Sequence, residues 1–313
     1  MAMQTLPEYA RGMGASSERP LIEMFAGSTD IFGMLPIAGM TGPIWEGTRQ
    51  ASLPSPVFRG INEGSSTGAG HVDPFQEASF IMDHDIDIDS AIVRRQGETR
   101  RAQQRQMLLA AAGRKWADVF VVGDNTSNAR EFNGLQARCT LFSRNTHNSA
   151  SSGGAALSLG KLDVALNAVN KQNGNCAILV PYDSIPLWIA AARTSTLTGF
   201  VIQTWDQLGM PKMTYRGFPF LIGYEKDDHT PVLQFNEVAS GGGSAVTASL
   251  YIIKFGEAGV HGIQHSSLSI KDCGLLEDQI TLRDHLSWDI GLVDEGKYCL
   301  HRLDSWTNAA IVA

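Results

Sequence analysis

Between Arg94 and Gln106 the only apolar side chain is Ala102, and five arginines dominate: Arg94, Arg95, Arg100, Arg101 and Arg105. The flanks read as helix. Asp87, Asp89 or Ser90 can cap a helix start, because their side chains accept from free backbone N–H groups. Met107, Leu108, Leu109, Ala112, Trp116, Val119 and Phe120 recur at helical spacing further on. The spacing predicts one long helix reaching about Asp118, with a break allowed at Gly97. Roughly 28 residues would span about 40 Å. A helix polar all round has no stripe to pack on its own core. One end is therefore expected to anchor in a core while the other crosses polar surface as a strut. Struts suit assemblies.

The segments before the strut also lack cores of their own. Residues 1–41 read as an extended arm with two short apolar patches, Leu21 to Phe25 and Ile31 to Pro36. Such an arm must lie on its own body or on a neighbour. Strand-like runs at Pro56 to Ile61 and Ala78 to Met82 flank a Gly/Ser-rich stretch, Asn62 to Gln76. This reads as a long hairpin whose tip, poor in apolar residues, projects. Beyond the strut the pattern turns α/β. Helices are expected at Leu159 to Asn170 and Tyr182 to Ala192. Strands are expected at Cys176 to Val180, Phe200 to Thr204, Lys212 to Tyr215, Phe218 to Ile222 and Ala248 to Phe255. The last sixty residues alternate as β structure.

Composition excludes some functions. Hydrophobic residues make up 43% of the chain, enough for a real core. The net charge is −7, whereas a protein gripping DNA through phosphates usually carries a basic surplus. Any DNA contact is expected to be weak or confined to a patch. No run of about 18 apolar residues marks a membrane span, and Met1 to Pro20 does not read as a secretory signal. Cys139, Cys176, Cys273 and Cys299 lack metal-ligand spacing and read as reduced thiols of a protein made in cytoplasm.

The order of these parts resembles the tailed-phage major capsid proteins of the Hong Kong 97-type fold. Phe58-Arg59-Gly60-Ile61-Asn62-Glu63 resembles the first strand of that fold's extended loop. Asp87-Ile88-Asp89 and the arginines after it resemble the entry to its spine helix. Phe120-Val121-Val122-Gly123-Asp124, then Glu131-Phe132-Asn133-Gly134-Leu135, is the most specific match. Ser287-Trp288-Asp289-Ile290-Gly291-Leu292 and Lys297 to Leu303 resemble the closing strands. The resemblance implies an α+β fold: N-terminal arm (1–41), extended hairpin loop (42–82), peripheral domain with spine helix (83–124), axial domain (125–265), and returning β strands of the peripheral domain (266–313). It further implies hexamers and pentamers in an icosahedral virion capsid, built in host cytoplasm around double-stranded DNA. A portal, a separate scaffold protein and a decoration protein are expected partners. The arm begins almost at Met1, so the scaffolding domain carried by some relatives is not expected here. Some relatives also crosslink through Lys and Asn, but Arg59 to Gln76 holds no lysine, so a crosslink from that loop is not expected.

The arginines admit three readings: a solvated face, contact with packaged DNA, or contact with neighbouring subunits. The last is favoured, because the segment has little apolar surface to hold it helical. The inter-subunit candidates are Arg59, Glu63, Asp73 and Glu77 on the hairpin, and Arg94, Arg95, Arg100, Arg101 and Arg105 on the strut. The run Asp83, His84, Asp85, Asp87, Asp89 reads as a strand edge ending in an N-cap rather than a metal site. His261 and His265 lack the neighbouring Glu of a zinc protease. Gly154 to Lys161 misses the spacing of a phosphate loop, and the triple glycine Gly241 to Gly243 reads as a flexible connection. No catalytic, metal or cofactor residue is expected. The competing functions are a cellular nanocompartment shell of the same fold and a metal-dependent or hydrolytic α/β enzyme around His84, His261 or His265.

Overall fold

Strand Ala245–Phe255 is where the layers meet. Nine consecutive residues, Thr247 to Phe255, are buried, as a strand covered on both faces demands. It runs antiparallel to Asn175–Leu179 and to Leu300–Val312. Its side chains alternate between two cores. Tyr251, Ile253 and Phe255 join Trp116, Phe120 and Trp288 on one face. Leu250 and Ile252 join Leu162, Leu166, Trp188 and Trp306 on the other. The second core is closed by helices Leu159–Ala168 and Ile185–Arg193. The computed structural model describes residues 4–12, 24–25, 27, 29–169, 175–194, 201–205, 211–223, 225–227 and 230–312.

The strut exists as two helices. Ser90–Gln96 is capped by Asp89, whose carboxylate accepts from the Ala91 N–H at 2.7 Å. Gly97, at φ +77°, breaks the run, and Glu98–Val122 continues for 25 residues, about 37 Å. The acidic run before it is a strand, Phe80–Asp89, with Ile88 buried and the odd-numbered aspartates outward. This strand pairs with Thr281–Asp294, which pairs in turn with Ser269–Leu275. The three form a ribbon along the helix.

The arm folds on its own body wherever it is described. Gln4–Thr5 pairs with Pro36–Gly39, and Leu6, Phe25, Ile31, Phe32 and Leu35 are buried. The Phe32 ring lies tilted 4.2 Å from Trp116, and Phe25 meets Trp288 edge-on at 5.0 Å. The Asp30 carboxylate accepts from Ile222 and Gly223 N–H at 2.6 and 2.8 Å. Of the two apolar patches, residues 21–23 lie outside the described residues. Of the rest, Phe25, Ile31, Phe32 and Leu35 are buried in this chain, and Met24 is exposed.

Three expectations need correction. The hairpin strands are Ile44–Ser52 and His71–Ala78, not Pro56 to Ile61 and Ala78 to Met82. The apolar run at 56–61 lies in the tip, where no strand forms. The last strand, Leu300–Val312, pairs with Ala245–Phe255, Asn145–His147 and Ala155–Ser158. It therefore belongs with the α/β half rather than with the ribbon. The Ser/Gly linkers are also not loose. Gly153 N–H donates to Gly242 O at 2.8 Å, and Gly241 packs so close to Ala150 and Ser151 that a Cβ would collide with their backbone.

Phe32→Ala is expected to cost about 3–5 kcal/mol of folding stability, read by urea denaturation. A loss below about 1 kcal/mol would mean that the arm is not part of the core.

Candidate assembly surface

The hairpin root is built by strand alternation. Trp45, Gly47 and Arg49 stand opposite Glu77, Phe75 and Asp73 and share one face. The Phe75 ring lies across Gly47, where a Cβ would run into it. This lets the Arg49 guanidinium sit 4.1 Å from the Phe75 centroid and 4.8 Å from that of Phe142, a cation–π sandwich. Arg49 also donates to the Asp294 carbonyl at 2.8 and 2.9 Å and to its carboxylate at 2.9 Å.

Asp294, fully buried, is the hub. Its carboxylate accepts from Arg138 at 2.5 Å and Arg144 at 2.7 Å as well as from Arg49. Arg138 reaches back to the hairpin, donating to Glu77 at 2.7 Å. Burial opposes its charge, but Asp294 and Glu77 outweigh that and hold its pKa above the ordinary value. Trp45 Nε1 donates to Glu295 at 3.3 Å. Apolar support is small: Trp45 and Phe75 rest on Ala38, Met40, Ile263 and Val293. Buried His261 stands edge-on to Trp45 at 5.6 Å. Charge pairs therefore carry most of the hairpin's attachment.

A second hub joins ribbon to helix. Asp284, 1% exposed, takes paired hydrogen bonds from Arg101 (3.0 and 2.7 Å) and from Arg105 (2.8 and 2.6 Å). Asp272 adds a contact to Arg101 at 2.6 Å. Burial works against the Asp284 carboxylate, yet the two arginines outweigh it and lower its pKa.

These hubs redistribute the expected contact residues. Arg101, Arg105 and Glu77 have partners inside their own chain. Arg59 and Glu63 shape the tip itself. Arg59 donates to Glu63 O at 3.0 Å, and the Glu63 carboxylate accepts from Gly60 N–H at 2.6 Å. Asp73 is exposed, as are Arg94, Arg95 and Arg100, and the three arginines make no ion pair among the described residues. The tip is bare: Leu53 is 71% exposed, Val57 64%, and Phe58 and Ile61 essentially fully. Sequence reasoning missed Arg49, Arg138, Arg144 and Asp294. They are far apart in the chain, and only the topology brings them together.

The residues of the enzyme alternative are not gathered. His84 and His265 are exposed, while His261 is enclosed. Among the described residues no group of three or more His, Cys, Asp or Glu could hold a metal ion, and no helix is long and apolar enough to cross a membrane. Burial pushes the Cys139 and Cys299 thiols up to about 12.

A family model described as major capsid protein GP7 matches residues 19–159. No curated protein matches the sequence. Among solved structures, the holo-SrpI encapsulin complex of Synechococcus elongatus is similar over 97% of both chains, with TM-score 0.64 and 13% identity. A structure of Microbacterium phage Oxtober96 is similar over 88% of this chain and 90% of that one, with TM-score 0.59 and 8% identity. That of Mycobacterium phage Bobi covers 88% and 89%, with TM-score 0.57 and 13% identity. This is the Hong Kong 97-type capsid fold. The fold bears out the sequence reading of the fold class, and the family model over residues 19–159 agrees with a major capsid protein. In this chain Asp284 ties the long helix to the ribbon, and Asp294 ties the hairpin to the same strand. Among the described residues the bare tip and the outward arginines are left uncovered by their own chain.

Two predictions follow from the hubs. Arg101→Glu is expected to lose at least about 3 kcal/mol, because it leaves Asp284 facing another carboxylate. Arg100→Glu should stay within about 0.5 kcal/mol. Equal losses in thermal denaturation would show that the helix does not use Arg101 as a clamp. The second concerns pH. Burial pulls His261 down from 6.5 to about 4. Its contribution is fully present above pH 6.5 and is lost as pH falls toward 4, because the unfolded chain takes the proton first. The denaturation midpoint should decline across that window, and His261→Leu should flatten the decline.

Proposed function

We propose that copies of this chain form the hexamers and pentamers of an icosahedral shell around double-stranded DNA, assembled in host cytoplasm with a separate scaffold and a portal. A decoration protein on the outer surface is compatible with this reading. The single observation that carries it is the hairpin tip. An apolar run, Val57, Phe58 and Ile61, stands exposed at the end of a strand pair fixed to the body by charge. Soluble monomers rarely expose such groups together without a partner. Many copies on a closed lattice multiply modest contacts of this kind. The role is structural rather than catalytic, and the net charge of −7 favours only weak, non-specific contact with the packaged genome.

Likeness to an encapsulin over nearly its whole length favours a second reading, a shell of the same fold around protein cargo. One experiment separates the two. Expressed with its scaffold, the chain should form particles on the order of tens of nanometres by negative-stain microscopy. Nuclease-protected DNA inside particles from the native source supports the virion, and a protein cargo supports the nanocompartment. If only small oligomers form with scaffold supplied, both shell readings fail.

A further inference from the structure

The proposal rests on the shell reading and concerns two outward faces left uncovered by the fold. The first is on the strut. Arg94, Arg95 and Arg100 are exposed, with Ile92 beside them at 42% exposure. Beyond Gly97 the outward stripe continues through Gln103, Met107 (63% exposed), Ala110 and Ala111. Among the described residues the Arg100 side chain makes one long bond, to Gln103 at 3.4 Å. The inward stripe, with Arg101, Arg105, Leu108 and Leu109, is occupied by the ribbon and core.

The second face is the outside of the ribbon. Strand periodicity puts Ile81, Asp83, Asp85, Asp87 and Asp89 on one side, and all are exposed, Ile81 at 70%. Across the ladder Arg283 faces Asp87 and His285 faces Asp85. Arg283 bonds Asp87 at 2.7 Å through two nitrogens, His285 bonds Asp85 at 2.6 Å, and Lys271 lies opposite His285. Four aspartates against Arg283 and Lys271 leave this face acidic. Asp83 has no charged partner among the described residues. Each face thus combines a net surplus of one charge sign with one exposed branched apolar residue, the composition of an interface with an apolar centre and a charged rim.

We propose that the arginine face of one copy docks on the acidic outer ribbon of a second copy, Arg94, Arg95 and Arg100 meeting Asp83 and Asp85, with Ile92 and Ile81 between them. The two faces are carried by every copy, so the contact can repeat around a closed ring or across a two-fold axis. Charge complementarity selects a second copy over DNA: the arginine face would suit phosphate, but the aspartate face would repel it.

A charge exchange tests this. Two variants are made, one with Arg94→Glu, Arg95→Glu and Arg100→Glu, the other with Asp83→Lys and Asp85→Lys. A third chain carries all five changes. The parent chain is assembled with scaffold in parallel, and sedimenting particles are quantified. Each one-sided variant should fall about tenfold or more in particle yield, since like charges then face each other. The five-fold variant should recover most of the parent yield. A denaturation midpoint close to the parent's is expected for the arginine variant; the two chains with Asp85→Lys lose the pairs to His285 and Arg283, so their yields are compared below the midpoint measured for each. Neutral Arg→Gln changes at the three arginines should give a milder loss that added salt no longer alters. The inference is overturned if the one-sided variants assemble like the parent, or if the combined chain does no better than either. A parent that itself never assembles overturns the shell reading instead.

Discussion

Strand Thr281–Asp294 carries two buried carboxylates, and the shape of the molecule depends on them. Ten residues apart, they sit roughly 33 Å from each other along the strand. Asp284 gathers Arg101 and Arg105 from the long helix, and Asp294 gathers Arg49, Arg138 and Arg144 from the hairpin root and the helix-to-sheet connection. A buried charge without partners is costly, whereas these two are surrounded by charge-assisted hydrogen bonds. Replacing both hubs with apolar residues could leave stability little changed. It would not fix where the helix and hairpin point, because an apolar contact can slide and a fork of guanidinium on carboxylate cannot.

Much of the architecture was legible in the sequence because it is local. The cap at Asp89, the break at Gly97, the apolar final turns around Trp116 and the alternation of Asp83 to Asp89 each depend on neighbours within a few residues. The hairpin was legible as an element but not in register. Phe58 and Ile61 look like strand residues, and propensity alone cannot reveal that they stand in a tip with nothing opposite them. The arginine run was only half legible. Its composition announced that Arg101 and Arg105 need acidic partners. Nothing local says that the partner is Asp284, some 180 residues away, in the same chain. The Asp294 hub left no trace at all, since its three arginines share no spacing.

The molecule divides into parts that are complete alone and parts that are not. The arm was a candidate for burial by other copies, yet Phe25, Phe32 and Leu35 complete the core beneath Trp116 and Trp288. The tip and the outward helix face have no such cover. The body is thus closed by this chain itself, and the exposed apolar and charged groups sit on its outer appendages.

Gly97 adds one more consequence. It sits at φ +77° with nothing within 4 Å of where a side chain would be, between a short helix continuous with the ribbon and a long one seated in the core. In the shell proposed above, identical chains at five-fold and six-fold positions would meet their neighbours at unequal angles. A joint with open space where a side chain would stand would let the short helix tilt while Trp116 and Phe120 stay where they are, so that one sequence could serve flat and curved surroundings.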